Sequence, residues 1–248
     1  MTRIFLIITR WVLAFFLAIL FSNCHEGKTF KASGKIKTEN RKVKENFTNI
    51  EVSNAIQLVI VQSKQQRIIV TSDENMLQNI RTVVKGDVLK IYISDKIYIK
   101  NNKLPIKVMV YIEKLEAIEA NAASSVTTQN QIVTSNFSLE ASSAANVKMD
   151  IQSENVNVNV SSAAIVNIRG LALHLETTTS SGGVFEGNRL KVNDIEAEAS
   201  SGGHVEVYPI LNLDANVSSG GSIDYYHNPK TIDIEKNSGG NIANRASE

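Results

Sequence analysis

Seven four-residue blocks of small side chains recur through the second half of this 248-residue chain, and their spacing restricts the fold more than any other feature. The blocks Asn121–Ser124, Ser142–Ala145, Ser161–Ala164, Ser180–Gly183, Ser200–Gly203, Ser218–Gly221 and Asn237–Gly240 begin 21, 19, 19, 20, 18 and 19 residues apart. Self-similarity at a fixed period near 20 marks a solenoid. Five places after each block's first residue stand Val126, Val147, Val166, Phe185, Val205, Ile223 and Ile242. Five places before it stand Phe137, Val156, Leu175, Ile195, Leu213 and Ile232, and three before it Leu139, Val158, Thr177, Ala197, Ala215 and Ile234. Polar residues separate these inward positions, so each copy reads as strand, corner, strand. A coil of about 19 residues with this alternation leaves no room for a helix. It matches one turn of a parallel β-helix, each coil pairing with the next about 4.8 Å away. The predicted class is all-β, a single-stranded parallel β-helix (solenoid) with Ser-Ser-Gly-Gly or Ser-Ser-Ala-Ala corners.

Stacked corners bring backbones together, which excludes large side chains, and glycine reaches positive φ without steric cost. The drift from Ala-Ala to Gly-Gly along the chain predicts a corner that tightens towards the C-terminus. A phosphate-cradling loop needs its glycines once, between strand and helix; here they recur in every coil. The scarcity of aromatics, at 6%, suits a thin repetitive core.

The chain begins differently. Arg3 and Arg10 flank the apolar runs Ile4–Ile8 and Trp11–Phe21, and Ser22, Asn23 and Cys24 follow. A basic start, a short apolar stretch and small polar residues describe a secretory signal peptide over 1–23. Neither apolar piece reaches the roughly 18–20 residues of a membrane-spanning helix; a single N-terminal membrane anchor is the competing reading. Cys24 is the only cysteine and forms no internal disulfide. Leu20-Phe21-Ser22-Asn23-Cys24 resembles a bacterial lipobox, although Asn23 replaces the small residue usual before the cysteine. Cys24 is therefore the expected lipidation site. Residues 24–45, with Lys28, Lys31, Lys35, Lys37, Arg41, Lys42 and Lys44 against Glu26, Glu39 and Glu45, read as a basic tether, either a solvated linker or one drawn to anionic headgroups.

From Phe47 to Ile118 the pattern is strand-like. Ile50, Val52, Ile56, Leu58 and Ile60 alternate with polar residues, and a Lys85-Gly86-Asp87 turn joins two later strands. Glu74–Ile80 is expected to form a single helical turn. Residues 46–118 thus read as an N-terminal β part and 119–248 as the repetitive solenoid part of one domain.

The Val52-Ser53-Asn54-Ala55-Ile56-Gln57-Leu58 segment, followed by serial small-residue corners, resembles the putative auto-transporter adhesin, head GIN domain family. The resemblance covers about Phe47 to Ile242. It implies a β-helix on an exported, often lipid-anchored bacterial protein, and it carries over no catalytic residue.

A search for chemistry yields little that converges. His174, His204 and His227 fall six before, four after and nine after their corners, in different columns, and read as ordinary surface histidines. No HExxH or paired-cysteine spacing occurs, so no metal site, catalytic residue or cofactor is expected. The calcium-binding nonapeptide repeat fails on period and on the residues after the glycines. Two acidic columns do stand out. Glu176, Glu196, Asp214 and Asp233 lie four places before the corner, and Glu186, Glu206 and Asp224 six places after it. They are either solvated strand faces or a weak surface for a divalent cation or a cationic partner.

Charge is split along the chain. Residues 25–118 hold 17 basic and 10 acidic side chains and 119–248 hold 7 and 15, which is +7 against −8 within a net +1. Basic residues without interleaved aromatics, in an exported chain, argue against a nucleic-acid partner. The sequence therefore predicts a non-catalytic binding, adhesion or scaffolding module. It is expected to be lipid-anchored in the bacterial cell envelope, at the outer membrane or cell surface rather than the inner membrane. Its expected partners are the membrane, through the anchor, and a carbohydrate or envelope protein. A polysaccharide-active enzyme and a self-assembling structural protein are the alternatives.

Overall fold

The computed structural model describes residues 28–30, 32–43, 45–94, 97–99 and 106–247. The expected signal peptide 1–23 and Cys24 lie outside them. The first strands are β1 (Lys28–Phe30), β2 (Ile36–Arg41), β3 (Asn49–Val52), β4 (Gln57–Gln62) and β5 (Arg67–Asp73). A single 3-10 turn, Leu77–Asn79, occupies the segment expected to be helical. Next come β6 (Ile80–Lys85), β7 (Val88–Ile93), β8 (Ile97–Ile99) and β9 (Lys107–Ile112). The repeats then supply β10 (Ala117–Ala120), β11 (Ser125–Thr128), β12 (Ile132–Ala141), β13 (Asn146–Val160) and β14 (Ile165–Thr179). They continue with β15 (Val184–Ala199), β16 (His204–Val217), β17 (Ser222–Tyr225), β18 (Thr231–Lys236) and β19 (Asn241–Asn244).

From β10 to β19 every pairing is parallel and joins residues one repeat apart, as in Val147↔Val166 and Leu175↔Ile195. The chain is a parallel β-solenoid. The 20-residue coil after Ser180 is fitted to the coil before it by a register shift between Asn167 and Arg169, and to the 18-residue coil after it by shifts between Gly187 and Lys191 and between Val192 and Asp194. Columns predicted to face inward do so: Val126, Val166, Phe185, Val205 and Ile223 are fully buried, as are Leu139, Val158 and Ala215. Burying each aliphatic side chain of this size stabilises the fold by about 1.5–3 kcal/mol before entropy is counted. The last coil differs. Ile232 and Ile234 are 43% and 37% exposed, whereas Leu213 and Ala215, one coil earlier, are 2% and 0%. Among the described residues strand β18 pairs only with β16, and none covers its other edge.

The corners share one conformation. In the third block Ser162 and Ala163 have φ of 52° and 60°, and in the fourth Ser181 and Gly182 have 51° and 70°. The block's last N–H donates to its first carbonyl, at 3.0 Å from Ala164 to Ser161 and 2.9 Å from Gly183 to Ser180. Two left-handed residues closed by this bond form a type I′ turn. Neighbouring turns are also linked, with Ala144 N–H donating to Ser162 O at 3.0 Å. The Ala-to-Gly drift leaves the turn type unchanged, and its consequence falls on the fourth residue. A Cβ on Gly203 would stand 2.4 Å from the Thr179 carbonyl oxygen, while Ala145 and Ala164 fit at the same position.

The solenoid continues past the recognisable repeats. Asn54 and Ala55 have φ of 63° and 55°, and Ala55 N–H donates to Ala122 O at 2.9 Å, which makes Ser53–Ile56 a further corner of the same kind. Strands β3 and β4 stack on β10 and β11 on one side and on β7 and β9 on the other, all in parallel. Antiparallel strands then finish this end: β6 on β7, β5 on β9, and β2 on β5. The Gly86-Asp87 loop joins β6 and β7 as the sequence predicts.

Contrary to expectation, residues 24–45 are not tether throughout, because Ile36–Arg41 is the folded strand β2. Its outer face is exposed, which is why no apolar periodicity marks it. Two polar clamps hold it in place. Asp73 accepts hydrogen bonds from Ser33 Oγ (3.0 Å), Gly34 N–H (2.8 Å) and Asn75 N–H (2.9 Å). Arg41 donates to the Leu77 carbonyl (2.7 Å), the Ile80 carbonyl (2.5 Å) and Thr82 Oγ1 (3.2 Å). Burial lowers the Arg41 pKa, with Glu39 opposing the shift.

Candidate functional site

The candidate site arises from a break in strand alternation. In successive coils two adjacent residues turn outward, as in Glu154-Asn155 and Leu173-His174. Each coil therefore bends without a glycine, and stacking the bends produces a groove that runs along the solenoid axis. Its volume is about 730 Å³. Its floor is the column Phe137, Val156, Leu175, Ile195 and Leu213, whose side chains turn into the core and leave only 2–3% of their surface open. One wall is Asn136, Asn155, His174, Asp194, Asn212 and Thr231, and the other is Ser138, Asn157, Glu176, Glu196, Asp214 and Asp233. With six members to a wall and coils about 4.8 Å apart, the groove extends about 24 Å.

The first wall is a hydrogen-bonded ladder. Asn155 Nδ2 donates to Asn136 Oδ1 at 2.8 Å, His174 Nδ1 lies 3.2 Å from Asp194 Oδ2, and Asn212 Nδ2 donates to Asp194 Oδ1. The second wall carries the predicted acidic column in unbroken register: Glu176 pairs with Glu196, Glu196 with Asp214, and Asp214 with Asp233. Asn157 Nδ2 donates to Glu176 at 2.9 Å. Glu196, Asp214 and Asp233 receive no hydrogen bond or ion pair among the described residues. They are acceptors left to solvent or to a ligand. Glu116 stands at the N-terminal end of the groove, where the Lys114 ammonium holds its carboxyl below the usual range.

The second predicted column lies elsewhere. Glu186, Glu206 and Asp224 stack in register on the strands after the corner, outside the groove, and their oxygens are engaged. Glu186 accepts from Asn167 (2.7 Å). Glu206 accepts from Asn188 (2.6 Å) and the Tyr226 hydroxyl (3.3 Å), with His204 at 3.5 Å. Arg245 Nε lies 3.3 Å from Asp224. Burial, then the Glu206 charge, pushes the Tyr226 phenol up. The seven predicted carboxylates thus divide into four that line a groove and three that are tied into a surface network.

The three solenoid histidines occupy separate places, as their phasing predicts. His174 lines the groove, His204 sits 2.7 Å from Ser222 Oγ, and His227 stacks on Tyr208 with ring centroids 5.0 Å apart. No group of three or more His, Cys, Asp or Glu among the described residues is disposed to hold a metal ion. Stacked carboxylates point the same way along a column instead of converging on one point. The amide wall was not singled out in the sequence, although its members share one phase, six places before the corner.

A parallel β-solenoid carrying one polar groove along its axis defines a class of repetitive binding scaffold, and comparison with known proteins narrows the class. Residues 46–229 match the family described as putative auto-transporter adhesin, head GIN domain, and the chain belongs to that family. No curated protein matches it. Among solved structures it is similar to a putative adhesin from Bacteroides fragilis, with a TM-score of 0.81 and 23% identity over 88% of this chain and 100% of that one. It is also similar to a putative adhesin from Parabacteroides merdae, with a TM-score of 0.71 and 17% identity over 87% and 98% of the two chains. A putative lipid binding protein from Parabacteroides distasonis gives 0.68 and 18% over 88% and 97%. At these identities the likeness concerns the fold. Family membership points to an adhesion-like role at the cell surface, and no helix among the described residues is long and apolar enough to cross a membrane.

Proposed function

We propose that this chain is a non-catalytic adhesion module, exported and held at the outer membrane or cell surface by acylation of Cys24, and that its axial groove binds a linear carbohydrate. The observation that carries this reading is the groove itself: about 730 Å³, open along its length, between two polar walls. Amides and carboxylates suit sugar hydroxyls. Apart from His174 the lining has no basic side chain, while Glu116, Glu176, Asp194, Glu196, Asp214 and Asp233 are acidic. Chains bearing uronate or sulfate groups would be repelled. Neutral or amine-bearing chains are the ligands this lining accepts, and of the two readings of the first acidic column, solvated face or weak cationic-partner surface, we favour the second, with an amine as the cation.

Repetition supports binding over catalysis, because successive coils offer similar walls whereas an active site needs one distinguished locus. A glycan array with matched neutral, amine-bearing and acidic linear chains tests the reading. Binding confined to the first two groups, weakened by Glu196→Gln with Asp214→Asn, is expected. Preferential capture of acidic chains would refute it.

A further inference from the structure

The N-terminal end of the solenoid has chemistry that the groove does not use. Among the described residues β2 pairs only with β5 and β6 only with β7, which makes them outermost strands. Arg81, Val83 and Lys85 alternate with inward residues, so all three project from one face of β6, and Val83 is 38% exposed. Ile36 of β2 is 53% exposed. The Arg41 guanidinium bridges β2 and β6, and beside it is a recess of about 460 Å³ whose lining includes Lys42, Arg81, Thr82 and Val83, with Glu39 paired to Arg41. Several cations of this region are spent within the protein: Lys37 pairs with Glu74, Lys90 with Glu51 and Arg41 with Glu39. Lys35, Lys42, Arg81 and Lys85 form no side-chain hydrogen bond or ion pair among the described residues, and all four are exposed.

We infer that this basic, partly aliphatic cap docks on the phosphates of anionic lipid headgroups and orients the rod with its acidic half away from the membrane. The inference rests on the proposed Cys24 anchor, which brings this end of the chain to the bilayer. Charge complementarity supports it: unpaired cations flank exposed Val83, so the aliphatic group can reach the interface while the charges stay at headgroup level. The opposite sign, −8 over residues 119–248, is repelled by the same surface.

The test is co-sedimentation of the full chain with vesicles of phosphatidylcholine alone and with vesicles containing one-third phosphatidylglycerol, at low and at physiological salt. Binding to phosphatidylcholine reads the anchor, and the ratio between the two vesicle types reads the cap. Lys42→Gln, Arg81→Gln and Lys85→Gln together should lower that ratio by about tenfold or more and leave phosphatidylcholine binding unchanged. Lys148→Gln with Lys230→Gln, two exposed positions in the repeats, should leave the ratio as it was. No preference for phosphatidylglycerol, or one that the triple variant keeps, overturns the inference. Loss of phosphatidylcholine binding alone removes the anchor and spares the cap.

Discussion

Glycine is favoured in the later solenoid corners for two separable reasons, and adjacent substitutions in one corner separate them. Gly202 has φ of +72°, and a Cβ there would have no atom within 4 Å, so Gly202→Ala meets only the left-handed backbone penalty. That penalty is about 1–2 kcal/mol, and lost freedom of the unfolded chain offsets about 0.4–1 of it. The net is about 1 kcal/mol, and Ala163 already adopts this conformation at the equivalent position. Gly203 is the reverse case, because its backbone is ordinary but a Cβ would meet Thr179 O at 2.4 Å and Thr179 C at 2.7 Å. The carbonyl cannot yield freely, since it accepts the Ser200 N–H at 2.9 Å in the ladder between coils. Overpacking costs about 1–3 kcal/mol and a weakened ladder bond about 0.5–1.5, so Gly203→Ala should cost about 2–4 kcal/mol. Urea denaturation followed by circular dichroism measures both. Equal destabilisation, or a larger loss for Gly202→Ala, would refute the reasoning.

Thr177 and Thr179 bury hydroxyls that find no hydrogen-bond partner among the described residues. Thr177→Val keeps the shape and removes the unmet group, so it should stabilise by about 1 kcal/mol, read as a rise in Tm of about 2–4 °C. Burial alone would raise the Asp73 pKa, but hydrogen bonds from Ser33, Asn75 and Gly34 outweigh it and hold it below its ordinary value. The stability from this clamp is present above the unfolded carboxylate's pKa of about 3.9 and is lost as pH falls through the lower folded value. Asp73→Asn should therefore flatten the fall in Tm below about pH 4; an unchanged profile contradicts the clamp. Cys24→Ser should abolish incorporation of labelled fatty acid and release the protein from the membrane fraction. Calcium at millimolar concentration should leave the Tm in place, because the stacked carboxylates do not converge on one ion.

Much of the fold was legible because a solenoid repeats its constraints. Each small-residue block fixed a corner, and counting from it placed Val166, Phe185 and Leu213 in the core before any pairing was known. The corner at Ser53–Ile56 escaped because Ile56 replaces the small fourth residue and hairpins β5 to β9 separate it from the next block. Strand β2 escaped because it is an outer edge held by Asp73 and Arg41, contacts that join distant parts of the sequence. Ile232 and Ile234 kept the phase of the core but lack a following coil, and periodicity does not register the end of a stack.

The candidate site was half legible. Phasing found the acidic wall, yet the groove needs the bend at Leu173-His174 and its equivalents, which an alternation pattern treats as an irregularity. His174 looked solitary because its column was compared only with the other histidines, although its partner Asp194 holds the same phase, six places before the corner, in the next coil. Glu186, Glu206 and Asp224 looked equivalent to the first column because spacing reports the phase of a side chain and not what it meets.

Calorimetric titration with one linear neutral or amine-bearing oligosaccharide series of increasing length tests the axial groove most directly. Affinity should rise with each added sugar until the chain spans about 24 Å, the length of six stacked coils, and then level off. Glu196→Gln with Asp214→Asn should weaken the long members more than the short ones. Affinity independent of length, or untouched by the paired substitution, would contradict a ligand lying along the axis.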